Sequence, residues 1–231
     1  MIRCSNETAV ELAVPGTHDF VVEVICRHMP PTGRALDLGA GTGALSSRLQ
    51  SLGFETLAVD HDELLFKVGT VPFKKLDMNE ASFHQALPKD LDLITAVEVI
   101  EHLESPVGFL RAIAHLLKPE GLAVVTTPNV DNVPSRFKFL LSGNLRMMDA
   151  RSPWHISPIF YDLFVRQYVP MAKLTLVNHH VFPLNDFPQT GRRYLVPFLR
   201  LAARVVPGPV PWGESHIFVL KRASPADVCN E

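Results

Sequence analysis

Two periods of hydrophobic and polar residues alternate along the first half of the chain. Phe20–His28 is apolar at helical spacing and predicts a helix, with Thr17 or Asp19 as its cap and Pro30-Pro31 as its stop. Arg34–Leu38 is a short apolar strand that runs into Gly39-Ala40-Gly41-Thr42-Gly43. Ala44–Leu52 returns to the helical period and ends at Gly53. Glu55–Val59, Phe73–Leu76 and Leu91–Val97 read as further strands, ending in Asp60, Asp77 and Glu98. Ser105 is placed to cap a helix over Pro106–Leu117, and Leu122–Thr127 is the next strand. After Pro128 the regularity fails. Asn129–Pro153 is an irregular connection, Ile159–Tyr168 predicts a helix, and Lys173–Val181 a strand. Pro183–Gly213 is irregular again around the amphipathic piece Tyr194–Val206, and His216–Lys221 is a last apolar strand.

Alternating strands and helices imply an α/β fold with a parallel sheet, right-handed crossovers and helices on both faces. Such sheets take ligands at the carboxyl edge of the strands, and here that edge is glycine-rich or acidic.

Composition narrows the field. At 231 residues with 47% hydrophobic positions, a single domain, 1–231, with a sizeable core is expected. A formal net charge of −2 gives no electrostatic basis for binding duplex nucleic acid. Cys4, Cys26 and Cys229 are widely spaced, which excludes a disulfide framework or a zinc knuckle and suits a reducing, cytoplasmic setting. Met1–Val14 carries Arg3, Glu7 and Glu11 among its apolar residues, so no leader is expected there. No run is long and uncharged enough to span a bilayer; Tyr194–Val206 is interrupted by Pro197, Arg200 and Arg204. More than half of the 19 prolines follow Val130, in keeping with a loop-rich second half.

The segment Leu36-Asp37-Leu38-Gly39-Ala40-Gly41-Thr42-Gly43-Ala44 joins strand to helix and allows close approach of backbone to ligand. Gly39, Gly41 and Ala44 also fit a dinucleotide loop. Against that, Asp37 would crowd a pyrophosphate of the same charge and suits a ligand with a cationic group. Asp60, Asp77 and Glu98 continue an acidic rim that favours an ammonium, a ribose diol and an amine-bearing base.

Taken in order, ALDLGAGTG, the acidic end of LAVDH, the KLDMN turn and AVEVIEHLESP resemble class I S-adenosylmethionine-dependent methyltransferases, over roughly Gly16 to Pro128 plus the final strand. The resemblance implies a Rossmann-like doubly wound sheet of seven strands, the last antiparallel. It implies S-adenosylmethionine as cofactor and S-adenosylhomocysteine as product. Asp37, Gly39, Ala40 and Gly41 would lie against the methionine part, and Asp60, with His61 beside it, would accept from the ribose hydroxyls. Asp77 would take the adenine amine with Met78 on the ring, while Val97 and Glu98 would form the floor beside the sulfonium.

In Glu98-Val99-Ile100-Glu101-His102, a helical continuation would put Glu98, Glu101 and His102 on one face at the mouth of the site. Three roles are open. Glu98 lines the pocket while Glu101 and His102 shape the loop; or His102 is a general base, its ordinary pKa of about 6.5 suiting proton removal; or the group binds a hard metal. The last resembles small-RNA 3′-terminal 2′-O-methyltransferases and ubiquinone-pathway O-methyltransferases, in which a divalent cation meets the substrate's oxygens. His155 after Trp154 would be the fourth ligand. His18, in Gly16-Thr17-His18, is a weaker candidate for the methionine carboxylate or the entrance, and His179-His180 reads as surface or core.

The expected reaction is O-methylation of a small molecule or glycan-type acceptor, with Glu98, Glu101, His102 and His155 as the catalytic set and no metal assigned. Glu98-Val99-Ile100-Glu101 stands where amine-directed DNA methyltransferases carry D/N-P-P-Y/F, and no Pro-Cys pair serves a cysteine-nucleophile enzyme. The alternatives are a metal-assisted RNA 2′-O-methyltransferase, a non-catalytic cofactor-binding partner subunit, and an NAD-dependent oxidoreductase. Insertions 129–155 and 183–213 are expected to form a substrate lid or cap. The first interleaves Arg136, Lys138, Arg146 and Arg151 with apolar residues, and Arg192–Arg204 has the composition for weak contact with a membrane surface.

Overall fold

The computed structural model describes residues 9–150, 152–184, 193–205 and 212–223. Cys4, Cys229, Arg151, Arg192 and much of 183–213 lie outside the described residues.

The strands are β1 (Gly33–Leu38), β2 (Phe54–Asp60), β3 (Phe73–Lys75), β4 (Leu91–Val97), β5 (Leu117–Pro128), β6 (Leu174–Phe182) and β7 (Ser215–Arg222). They form one seven-stranded sheet in the order β3-β2-β1-β4-β5-β7-β6. β1 to β5 are mutually parallel, and β7 runs against both of its neighbours. This is the Rossmann-like doubly wound arrangement, with the strand order reversing between β1 and β4.

Side chains along each strand divide between two layers, as the period of two requires. Leu36, Leu38, Ile94, Ala123, Val125 and Phe218 face a core shared with α3 (Pro106–Leu116) and Phe164. Ala35, Leu93, Val124 and Val219 face the other way, onto α1 (Thr17–His28) and α2 (Ala44–Leu52). Burying each of the Leu, Ile, Val and Phe side chains among them contributes roughly 1.5–3 kcal/mol. Ser105 caps α3 by accepting from the amide of Gly108, and Pro106 opens the helix where its missing N–H costs nothing.

Local differences from the sequence expectations have local causes. α1 begins at Thr17 behind Gly16, whose φ of 89° is left-handed. Neither Thr17 nor Asp19 caps the helix, because the Thr17 hydroxyl donates to the Val14 carbonyl at 2.6 Å. β5 starts earlier than expected, its register against β4 shifting between Leu91 and Leu93. The helix expected at Ile159–Tyr168 is α5 (Tyr161–Leu163), a π-helical stretch over Phe164–Tyr168 and α6 (Val169–Met171). Pro170 lacks the amide that a regular ladder would use there.

Of the two insertions, 129–155 contains α4 (Val133–Ser142), capped by Asn132 and ended at Gly143. The described part of 183–213 contains α7 (Val196–Val205). Val133 of α4 packs with Leu199 and Ala203 of α7, with Phe137 and Trp212 at their margin. Among the described residues, no helix is long and apolar enough to cross a membrane.

Candidate active site

At the carboxyl edge of the parallel strands lies a cavity of about 790 Å3. Its wall takes one residue or more from every segment that the sequence singled out: Asp37, Gly39, Ala40, Gly41, Asp60, His61, Asp77, Met78, Val97, Glu98, His102 and His155. Glu101 stands directly behind His102 and is fully buried.

Asp37, next to last in β1, is buried and accepts from Ser46 Oγ at 2.5 Å and Thr95 Oγ1 at 2.8 Å. Burial pushes its carboxyl up to about 6, helped by the charge of Asp60 and opposed by the Ser46 and Thr95 hydroxyls. A cationic ligand group would return this carboxyl to its ionised form. Asp60 ends β2 and organises the loop beside it: Oδ2 accepts from the Gly41 amide at 2.8 Å and Oδ1 from the Asp62 amide at 3.0 Å. His61 Nδ1 also stands 3.0 Å from Oδ1. The amides of Gly39 and Ala40 turn to the Val59 carbonyl at 2.8 and 3.0 Å. Only glycine fits at position 39, where φ is 75° and a Cβ would meet Val99 Cγ2 at 2.2 Å. Asp77, beyond β3, is exposed and accepts from the Asn79 amide at 2.9 Å, leaving a rim carboxylate beside half-buried Met78.

The Glu98–His102 segment departs from the expected helix. Glu98 has a left-handed φ of 54°, and only Ile100–His102 is helical, as a 3-10 turn. The departure has a partner across the sheet: the Glu98 amide donates to Thr126 Oγ1 at 3.0 Å, and that hydroxyl lies 3.0 Å from Glu98 Oε1. Desolvation raises the Glu98 carboxyl to about 7, against the Thr126 hydrogen bond. Glu98 and Glu101 therefore do not stand one above the other on an α-helical face.

Glu101 accepts from Thr127 Oγ1 through Oε2 at 3.0 Å, while Oε1 is buried without a hydrogen-bond partner. Burial raises its carboxyl well above the ordinary range, and the nearby Glu98 charge adds to this. His102 Nε2 lies 3.9 Å from that Oε1. The His102 and His155 rings meet edge to face, centroids 4.7 Å apart. His102 Nδ1 contacts the Trp154 carbonyl at 3.2 Å, and His155 Nδ1 the Met147 carbonyl at 2.6 Å. A carbonyl only accepts, so both Nδ1 atoms donate and both neutral rings keep an Nε2 lone pair. Burial lowers the pKa of each ring, and for His102 the neighbouring His155 lowers it further.

One donor atom from each of Glu101, His102 and His155 lies within 4.8 Å of the others. Two imidazoles and a buried carboxyl thus converge. The arrangement fits a substrate hydroxyl proton or a divalent cation, the latter on a two-histidine, one-carboxylate donor set. Glu98 is not in this group, so the metal set conceived from the sequence loses that member.

The sequence did not point to the strap over the glycine loop. Val10, Leu12, Ala13 and Val14 line the cavity, held by Thr42 Oγ1 donating to the Val10 carbonyl at 2.6 Å. Glu11 secures the strap from behind, accepting from the amides of Gly16 and His18 at 3.0 and 2.5 Å. His18 reaches the cavity, with a buried Nδ1 that has no partner. From insertion 129–155, Met147 and Trp154 also line the mouth. His179 and His216 lie away from it, His179 Nε2 being 3.1 Å from His216 Nδ1.

A family model described as "Methyltransferase domain" matches residues 19–159, more than half of the chain. Among curated proteins, a "Ubiquinone biosynthesis O-methyltransferase" of Xanthomonas campestris pv. campestris is 31% identical over 129 residues, 52% of this chain and 52% of that one. A protein of the same name from Caulobacter vibrioides is 38% identical over 101 residues, covering 41% and 40% of the two chains. The chain spans about half the length of the curated relatives it matches. Among solved structures, a SAM-dependent methyltransferase from Archaeoglobus fulgidus superposes with a TM-score of 0.62 at 19% identity, over 89% of this chain and 94% of that one. Magnesium protoporphyrin IX methyltransferase from Synechocystis, with bound SAH, gives 0.60 at 13% identity, over 90% and 83%. At these identities the structures speak for the fold.

Proposed function

Because the chain belongs to the class I S-adenosylmethionine-dependent methyltransferases, we propose that it transfers a methyl group from S-adenosylmethionine to a hydroxyl of a small-molecule or glycan-type acceptor. The observation that carries the proposal is the convergence of Glu101, His102 and His155 within 4.8 Å beside the cavity lined by Asp37, Asp60 and Asp77. The relatives' name, O-methyltransferase, supports oxygen as the atom methylated.

Asp37 and the glycine loop would hold the cofactor's ammonium, Asp60 its ribose diol, Asp77 and Met78 its adenine, and Val97 and Glu98 would flank its sulfonium; all of them line the one cavity. An alcohol is a poor nucleophile while it keeps its proton. Nε2 of His102 or His155 would take the acceptor's hydroxyl proton, giving an imidazolium beside the Glu101 carboxyl; S-adenosylmethionine, when bound, would supply the methyl group to the acceptor oxygen and leave as the neutral thioether. Alignment of donor and acceptor and the exclusion of water supply much of the acceleration. The described part of insertion 129–155 would cap the acceptor: Met147 and Trp154 line the cavity, and α7 packs on α4.

A second reading rests on the unpartnered Oε1 of Glu101. Glu101, His102 and His155 would hold a divalent cation, which supplies Lewis-acid polarisation of the acceptor oxygen. Calorimetry with S-adenosylhomocysteine, then an acceptor screen with and without chelator, tests both. Binding of the nucleoside and turnover lost in His102→Ala and His155→Ala are the expected results. Near wild-type rates in both variants would eliminate the histidine-assisted version, and turnover indifferent to chelator the metal-assisted one.

A further inference from the structure

Arg146 does not line the cavity, yet it holds the loop that does. Its guanidinium makes two parallel bonds to the Glu214 carboxylate, Nη1 to Oε2 at 2.6 Å and Nη2 to Oε1 at 3.0 Å. The Glu214 side chain is fully buried and that of Arg146 is 13% exposed. Glu214 is a fixed anchor: its carbonyl accepts from the Asn129 amide at 2.7 Å and its amide donates to the Phe182 carbonyl at 2.8 Å. The sheet residue at the head of β7 is thereby joined to a loop 68 positions earlier. A second hold comes from Lys138, whose Nζ donates to the Leu145 carbonyl at 3.1 Å and pairs with Asp149 at 2.5 Å.

The residue after Arg146 shows what the anchoring achieves. Met147 has a left-handed φ of 62°, a conformation that an unbranched side chain keeps only where its surroundings over-determine it. In that conformation its carbonyl receives His155 Nδ1 at 2.6 Å. The carbonyl decides which ring nitrogen carries the proton and where the other one points. A bidentate fork fixes orientation as well as distance, which a lysine at the same place does not.

We propose that the Arg146–Glu214 pair is a positioning device for His155: it holds Met147 so that His155 stays in the Nδ1–H form and keeps its lone pair on Nε2. The catalytic consequence rests on the reading of His155 as an acceptor of the substrate proton; the effect on the ring itself does not.

The test is nitrogen NMR of the imidazoles in the full-length protein, read as the tautomer ratio of His155 at a pH where the ring is neutral. Two variants are compared with wild type. Arg146→Lys keeps the charge and loses the fork. Arg146→Met with Glu214→Gln removes both charges together, because a buried carboxylate that loses the charge of Arg146 would destabilise the protein for unrelated reasons. The expected result is one tautomer in wild type and a rise of about tenfold in the Nε2–H fraction of His155 in both variants, the scale set by one net hydrogen bond. His115, on the far side of α3, serves as the unchanged reference. A His155 ratio identical to wild type in folded variants overturns the proposal. Turnover judges the reading beneath it separately: if His155→Ala is silent while the tautomer ratio still moves in the Arg146 variants, the positioning stands and the base assignment falls.

Discussion

The Gly41 amide donates to Asp60 Oδ2 at 2.8 Å, tying the glycine loop after β1 to the end of β2. The carboxylate proposed to meet the ribose thus also shapes the loop proposed to meet the methionine part. Replacing it removes an acceptor from two backbone amides, those of Gly41 and Asp62, and, on the proposed reading, from the ribose as well.

Asp60→Ala is therefore expected to lose S-adenosylhomocysteine affinity by more than a direct ribose contact explains. It should also cost about 2 kcal/mol of stability, since charge-assisted hydrogen bonds contribute roughly 1.5–3 kcal/mol each and water replaces part of that. Asp60→Asn, which keeps one acceptor oxygen, should recover most of the stability and little of the affinity. Calorimetry and urea unfolding on the two variants check the separation.

Asp37 offers the opposite trade. Its folded pKa, about 6, lies above the unfolded value, so the folded state binds the proton more tightly. The contribution is present at low pH and is lost as pH rises from the unfolded value toward about 6. Asp37→Asn should therefore match wild type near pH 4 and exceed it above pH 6, by at most about 3 kcal/mol. It should bind S-adenosylhomocysteine more weakly throughout. Thermal melts across pH 4–8 would sink this account if the advantage failed to grow with pH.

The acidic strand ends were legible because each lies at or beside the end of a short apolar run, a local signal. Asp37, Asp60 and Asp77 were placed on one rim by the βαβ pattern alone, and the cavity holds all of them. The helical continuation considered for Glu98–His102 does not form, because what bends the segment is Thr126, paired through the sheet from 28 residues away. The strap at Val10–Val14 is too short to show a period, and its hold on Thr42 is a tertiary contact. His155 was visible only as a histidine between an insertion and a helix. Its aim depends on Met147, whose left-handed backbone nothing in the residue type announces.

Glu101→Gln tests the buried carboxylate. The amide retains an acceptor for the Thr127 hydroxyl, so the fold and S-adenosylhomocysteine affinity should stay within about twofold of wild type. Turnover should fall by about a hundredfold, on the scale of losing one ionisable partner of a proton-transfer group. Unchanged turnover would mean that the unpartnered Oε1 serves neither a proton nor a cation.

The pH profile distinguishes the two histidines. Burial lowers both rings below the ordinary value of about 6.5, so the neutral, competent form accumulates at more acidic pH than in a free imidazole. The acid limb of kcat/KM is expected below pH 6.5, with activity rising as pH increases. His155 also lowers the His102 ring through their mutual repulsion. In His155→Gln that repulsion is gone, so the acid limb of the residual activity should move to higher pH, with the rate down by about a hundredfold. In His102→Gln the limb reports His155 alone. A limb that stays in place when His155 is replaced would show that the group titrating in the profile is not His102.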